Sequence, residues 1–282
     1  MQDLRQARLH ARAGPGCQHD HGDGRFHVPS DAMRLAAGQG GCARGVRMDT
    51  DIDKLIATRF DTVLYDLDGT LIDSAKDMEV AVSHVLSDHG LPPVSDEDVR
   101  VFMGQGSKVT MGKAFAKHGK VLDESALSAV TREFVRYYEA DPVSHTTAFA
   151  GVSEVVAHFA RLGLKQGVCT NKFEKPSRMI LEHLKLMPPI SDVAGADSFP
   201  VRKPDPRHIL MLLERMGCDP TRAVMIGDSI HDAEAARGAG LPAVLVSWGY
   251  TTRPASELGA DAVIDRFDAL PATLGKLATV AR

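Results

Sequence analysis

The stretch "YDLDGTLIDS", residues 65–74, ends the apolar run "RFDTVL" (59–64) with two aspartates two positions apart. Carboxylates are rarely buried unless they are paired or bound to metal. A buried strand that finishes on Asp66 and Asp68 therefore calls for a positive partner. Asp61 to Tyr65 reads as such a strand, stopped by Gly69-Thr70.

Outward from this point the chain falls into two rhythms. Residues 77–141 are helical throughout: "KDMEVAVSHVLSDHGL" stops at Gly90 and Pro92-Pro93, and "SDEDVRVFMG" opens on Ser95 as a cap with acids in its first turn. "KVTMGKAFAKHG" and "DESALSAVTREFVRYYEA" continue the pattern until Asp141-Pro142 closes it. From residue 145 helices alternate with short apolar segments: "LKQGVCT", "SDVAGA", "AVMIGD", "PAVLVSWG" and "ADAVID". That alternation predicts βαβ units and a parallel sheet covered on both faces. The α/β core thus comprises 58–76 and 145–275, with a helical insertion over 77–144 just after the first strand. Ligands of open parallel sheets bind at the carboxyl ends of the strands, so an insertion there can serve as a lid.

Composition narrows the field. Of 282 residues, 44% are hydrophobic and 25% charged, as in ordinary globular domains, and the net charge of −4 offers no basic footprint for nucleic acid or anionic lipid. Cys17, Cys42, Cys169 and Cys218 form no CxxC pair, which fits a reducing compartment. With no apolar run of membrane length, a cytoplasmic protein is expected. Residues 1–47 carry seven arginines against four aspartates, a net +3 that leaves −7 to the rest. They read as a disordered extension, with Met48 as an alternative start. A transit peptide, or metal binding by His19, His21 and His27, are the weaker readings, because acids and glycines interrupt any helix and "HDH" has no ligand geometry of its own.

Four strand ends collect reactive side chains. The first carries Asp66 and Asp68, the second Thr170 and Asn171. Lys203 stands in "RKPDP", and "GDSIHD" offers Asp228 and Asp232. Clustered carboxylates imply a cation, and an all-oxygen set with few imidazoles favours Mg²⁺ over Zn²⁺. Lys203, the Thr170 hydroxyl and backbone N–H groups around Gly69 could bind phosphoryl oxygens. This is equipment for phosphoryl transfer. Asp66, at the strand tip, is placed to attack phosphorus; Asp68, on the same side two residues on, can protonate the leaving alcohol and then deprotonate water. Taken singly, each motif has a plainer explanation: an Asx turn, a helix cap at Ser229, a loop, a solvated lysine. In order and each after an apolar run, coincidence is improbable. His231 reads as a helix-surface residue and Cys169, with no histidine evident beside it, as a buried structural thiol. Trp248 and Tyr250 are expected to pack near a strand end.

"DLDGT", "TNK", "KPDP" and "GDSIHD", in that order over about residues 60–270, resemble the four motifs of the haloacid dehalogenase superfamily of Mg²⁺-dependent phosphohydrolases. The resemblance implies a Rossmann-like three-layer core with the Asp66 strand central and beside the Asp228 strand, and a small helical C1 cap. It implies Mg²⁺ held by the Asp66 carboxylate, the Asp68 carbonyl and Asp228, with Asp232 close behind. Within the superfamily the chain is most similar to phosphoglycolate phosphatases, through "LYDLDGTLIDS", "FMGQGSK" and "RKPDPRHI". By that similarity Gly104, Gln105 and Gly106 form a cap loop over the site and Lys108 meets a substrate carboxylate; a plain interhelical turn explains the loop equally well. "HTTAFAGV" departs from the "YPG"-like approach of relatives at the domain junction.

The expected activity is hydrolysis of a small organic phosphate, foremost 2-phosphoglycolate, by a monomer or homodimer without nucleic-acid or membrane partners. Alternatives keep the scaffold but act on pyrophosphate, a sugar phosphate or phosphonoacetaldehyde, the last needing a Schiff-base lysine such as Lys108 or Lys113. A different class, an inactive binding or regulatory protein, is disfavoured because Asp66, Asp68, Thr170, Lys203 and Asp228 are all present.

Overall fold

The computed structural model describes residues 50–279; the readings placed on residues 1–47, with His19, His21 and His27, lie outside the described residues. In chain order the elements are α1 (Thr50–Arg59), β1 (Thr62–Tyr65), β2 (Ile72–Asp73), α2 (Ala75–Asp88), α3 (Asp96–Phe102), α4 (Ser107–Lys117), α5 (Glu124–Ala140) and β3 (Thr147–Ala148). There follow α6 (Val152–Arg161), β4 (Lys165–Cys169), α7 (Glu174–His183), β5 (Asp192–Ala194), α8 (Pro206–Met216), β6 (Ala223–Gly227), α9 (Ile230–Gly238), β7 (Ala243–Val246), β8 (Ala262–Ile264) and α10 (Leu270–Thr279).

Six strands form one parallel sheet in the order β5-β4-β1-β6-β7-β8. Every residue of β1, β6 and β7 is buried, as continuous apolar strands require when helices cover both faces. The period of two divides β1: Val63 and Tyr65 join the core with Phe159 and Phe267, whereas Leu64 joins Ile209, Leu212 and Leu213 beneath α8. Tyr65 is in register with Val168 of β4 on one side and Ile226 of β6 on the other. The carboxyl ends of β4, β1 and β6 therefore lie side by side. The chain builds outward to β5 and then crosses to β6, so the reversal of strand order falls next to β1.

Helices α2–α5 leave the chain between β1 and the rest of the sheet. Ser95 caps α3 as its sequence suggests: its Oγ accepts the Asp98 N–H at 3.2 Å and the Asp98 carboxylate accepts the Ser95 N–H at 3.0 Å. Val82, Val85, Met111, Phe115, Val130 and Phe134 are buried in the helices' shared interior. An antiparallel ribbon of β2 and β3, pairing Ile72 with Ala148 and Asp73 with Thr147, joins the outgoing and returning segments. Buried Asp77 reinforces it, accepting the backbone N–H groups of His145 (3.0 Å) and Thr146 (2.7 Å) and the Thr146 hydroxyl (2.7 Å).

Three elements escape sequence reading. The ribbon strands are two residues long, too short to carry a period. Helix α1 buries only Ile56 fully and has a weak apolar stripe; it is held by packing against α10, where Ile52 closes on Gly275. No helix among the described residues is long and apolar enough to cross a membrane.

Candidate active site

The Asp66 N–H donates to the Ile226 carbonyl at 2.8 Å, extending the β1–β6 ladder by one residue and fixing the carboxylate at the strand tip. Asp228 follows β6, Thr170 follows β4, and Asp232 lies in the first turn of α9. Carboxylate oxygens of Asp66, Asp228 and Asp232 all lie within 4.8 Å of one another, and all three residues are buried. Lys203 reaches into them: its Nζ is 3.0 Å from Asp66 Oδ1 and 2.5 Å from Asp232 Oδ1.

One ammonium against three carboxylates leaves the cluster short of positive charge. Burial raises the Asp66 carboxyl, Lys203 opposes that and Asp232 adds to it, for a value of about 6. Burial and the neighbouring acids push Asp228 well above the usual carboxylate range. Burial depresses Lys203, but Asp232 and Asp66 more than reverse this and hold it charged. The one close partner of Asp66 Oδ1 is the Lys203 ammonium at 3.0 Å, an ion pair that answers one of the three carboxylates. Three buried acids around one ammonium fit a divalent cation with oxygen ligands.

The backbone around the cluster must be glycine. Gly69 has φ +82°, and a Cβ there would lie 2.5 Å from Asp228 Oδ2. Asp232 is committed to protein groups: Oδ2 accepts the Ser229 N–H at 3.0 Å and the Ser229 hydroxyl at 2.7 Å, while Oδ1 takes Lys203. Asp228 Oδ2 accepts the Tyr250 N–H at 2.7 Å.

Asp68 faces a different neighbourhood. Its Oδ1 accepts from the Ser74 hydroxyl at 2.5 Å, and Lys172 Nζ is 3.1 Å from both carboxylate oxygens. The Lys172 ammonium also lies over the Tyr138 ring of α5, 4.2 Å from its centroid. Burial lowers the lysine's proton affinity, but Asp68 and Tyr138 outweigh it and the group sits above its ordinary range. Asp66, Asp68, Thr170 and Lys172 open onto one cavity of about 50 Å³, roofed by Met103, Gly104, Thr110, Phe134 and Tyr138.

Several expectations are corrected. The Gly69 N–H donates to the Ile72 carbonyl at 2.9 Å, so it is spent inside the turn. Asn171 uses its amide donors on the carbonyls of Lys203 (3.1 Å) and Gly104 (3.4 Å), tying the β4 loop to the helical insertion. Gly104 and Gly106 line the cavity, and Gly106 needs its φ of +88°, with Asn171 O only 3.3 Å from where a Cβ would stand. Gln105 turns instead into a neighbouring cleft with Lys113, His231 and Arg253. Lys108 does not reach the cavity: it is an exposed ion pair with Glu124. Lys113 donates to the Val101 carbonyl at 3.1 Å and lines the neighbouring cleft, which borders Asp228, rather than the cavity of Asp66 and Asp68.

Cys169 does have a histidine beside it, His208 Nδ1 at 3.5 Å, brought by α8 from 39 residues away. Burial pushes the thiol up to about 12 and the imidazole down to about 4, so no thiolate–imidazolium pair forms and the structural reading holds. Trp248 packs against Phe149 and Phe267, whereas Tyr250 contributes more than packing. Lys172 went unread, although it is the last letter of "TNK": only the fold turns it toward Asp68.

Comparison with known proteins agrees with this geometry. Residues 63–246 match the family described as haloacid dehalogenase-like hydrolase, and the chain belongs to that family. Among curated relatives, a phosphoglycolate phosphatase of Caulobacter vibrioides is 42% identical over 210 residues, 74% of this chain and 89% of that protein. One of Rhodospirillum rubrum is 37% identical over 217 residues, 76% of this chain and 90% of that protein. The crystal structure of a predicted phosphoglycolate phosphatase from Haemophilus somnus superposes with a TM-score of 0.71 at 28% identity, over 76% of this chain and 98% of that one. The chain is thus a phosphatase of the haloacid dehalogenase type.

Proposed function

We propose that the protein hydrolyses 2-phosphoglycolate to glycolate and phosphate with Mg²⁺ and an aspartyl-phosphate intermediate. The observation that carries this reading is the buried Asp66 carboxylate at the tip of β1, beside Asp228 and Asp232 with a single ammonium among them, and in the same cavity as Asp68. Asp66, Asp228 and the Asp68 carbonyl would hold the cation, which supplies charge neutralisation of the phosphoryl oxygens. Lys203, braced by Asp232, orients the Asp66 carboxylate. That carboxylate attacks phosphorus as the ester P–O bond breaks, and Asp68 delivers a proton to the departing glycolate oxygen. Asp68 then accepts a proton from the water that attacks the aspartyl-phosphate, restoring free Asp66 and releasing phosphate. The Thr170 hydroxyl, buried and with its oxygen accepting the Lys172 N–H at 3.2 Å, keeps its own proton for a phosphoryl oxygen.

Helices α2–α5 act in this reading as a cap over the carboxyl edge of the sheet. The substrate assignment is supported by the relatives' names. The test is phosphate release from 2-phosphoglycolate, pyrophosphate, hexose phosphates, phosphonoacetaldehyde and p-nitrophenyl phosphate, with Mg²⁺ and with chelator. A kcat/KM of about 10⁴ M⁻¹s⁻¹ or more for 2-phosphoglycolate, well above the others and lost with chelator, is expected. Preference for another compound would replace the substrate, and turnover of none would return the binding-protein reading.

A further inference from the structure

Among the residues lining the cavity, Lys172 is the only one with a cationic side chain. Lys203 does not line it; both its side chain and that of its partner Asp232 are solvent-inaccessible, and its ammonium is spent on Asp232 and Asp66. Met78, Phe134, Tyr138 and Phe173 line the wall beside it, and the polar Ser107, Thr110 and Glu139 bring no second cation. A second anionic group on a substrate meets no other positive charge in this lining to replace its lost hydration.

Lys172 has capacity to offer one. Its strong contacts are the two Asp68 oxygens, and what remains is the Tyr138 ring and the Met78 sulfur at 3.8 Å. An ammonium has three donors, and both of these last partners are weak acceptors that a carboxylate would replace with gain.

We infer that Lys172 reads the carboxylate of the substrate, selecting phosphates that carry a second anionic group one or two carbons from the ester oxygen. This rests on the phosphatase reading above and deepens it. The selector stands on the β4–α7 loop of the core, not at Lys108 of the insertion. Phosphoryl group and carboxylate are then held by neighbouring residues of one loop, Thr170 and Lys172, so the distance between the two anions is measured by a rigid part of the sheet edge. Tyr138 keeps the ammonium in place when the site is empty.

The experiment compares kcat/KM for 2-phosphoglycolate and ethyl phosphate, in which a methyl group replaces the carboxylate, in the wild type and in Lys172→Met. The wild type is expected to favour 2-phosphoglycolate strongly. The variant is expected to lose activity toward both and to shrink the ratio by about 10- to 100-fold, mostly through KM for 2-phosphoglycolate. A variant that keeps the wild-type ratio overturns the assignment, as does a wild type with no preference, although ethyl phosphate turnover would leave the phosphatase chemistry standing. Failure of both substrates in the wild type would overturn the function and this inference together. A crystal structure of the wild type with 3-phosphonopropionate, an unhydrolysable isostere, gives a readout that needs no variant. A carboxylate oxygen in hydrogen-bond contact with Lys172 Nζ is expected, and one seated on another cation, such as Arg202 beside Gly106, refutes it.

Discussion

The ammonium of Lys203 and Oδ1 of Asp232 face each other across 2.5 Å, with neither side chain accessible to solvent. Asp232 holds in addition the N–H and hydroxyl of Ser229, so one carboxylate fixes both the lysine and the loop that carries Asp228. Its work is positioning. Asp232→Asn is expected to keep the backbone contacts but lose the charge, lowering kcat by about 10- to 100-fold with little change in KM. An unchanged kcat would remove Asp232 from the machinery.

Lys203→Ala strips the only ammonium from three buried acids. Removing one side of a buried ion pair typically costs about 3–5 kcal/mol. Urea denaturation in chelator should display that loss, and millimolar Mg²⁺ should recover part of it by compensating the same charges. A loss that Mg²⁺ does not touch would contradict a metal site at Asp66 and Asp228.

Asp66 links stability to pH. Its folded value of about 6 stands above the roughly 3.9 of an unfolded aspartate, so the native state binds the proton more tightly. The stability contributed by this group is present below about pH 4 and is lost as pH rises through 6, by at most about 3 kcal/mol. Asp66→Asn cannot titrate there and should abolish turnover. In chelator its stability relative to wild type should rise from pH 5 to pH 7.5; a difference flat in pH would falsify the account.

Asp77 runs the other way. Burial raises its carboxyl, but donors from Thr146 and His145 outweigh this and hold it below the usual range. Its contribution is present at neutral pH and disappears as pH falls through the folded value. Asp77→Ala leaves the buried Thr146 N–H and the part-buried His145 N–H unanswered just before β3 and is expected to destabilise by about 2–4 kcal/mol at pH 7. That penalty should narrow below pH 4, measured by thermal unfolding.

Cys169 should resist alkylation. With its thiol near 12 and no exposure, the tryptic peptide that carries it should stay unlabelled by iodoacetamide at pH 8 until denaturant is added. Fast labelling of the native protein would mean that the β4 end opens.

The strands of the parallel sheet and the order of the four motifs were legible in the sequence because buried parallel strands are continuous apolar runs. Asp66, Asp68, Thr170 and Asp228 follow such runs and could be named from position, whereas Lys203, well past β5, and Asp232, inside α9, could be named only from their motifs. Local sequence also determined the Ser95 cap, a contact between residues three apart. Partnership was not legible. That Asp232 rather than a phosphate takes Lys203, that Asn171 is spent on carbonyls, that Tyr250 feeds Asp228 and that Lys172 turns onto Asp68 depend on elements 22 to 104 residues apart. Such contacts arise only when βαβ crossovers bring strand ends to one edge and α5 closes over them. Residue types decide which chemistry is available; the tertiary structure decides which charges meet, because Coulomb and hydrogen-bond energies depend on distances that a linear pattern does not contain.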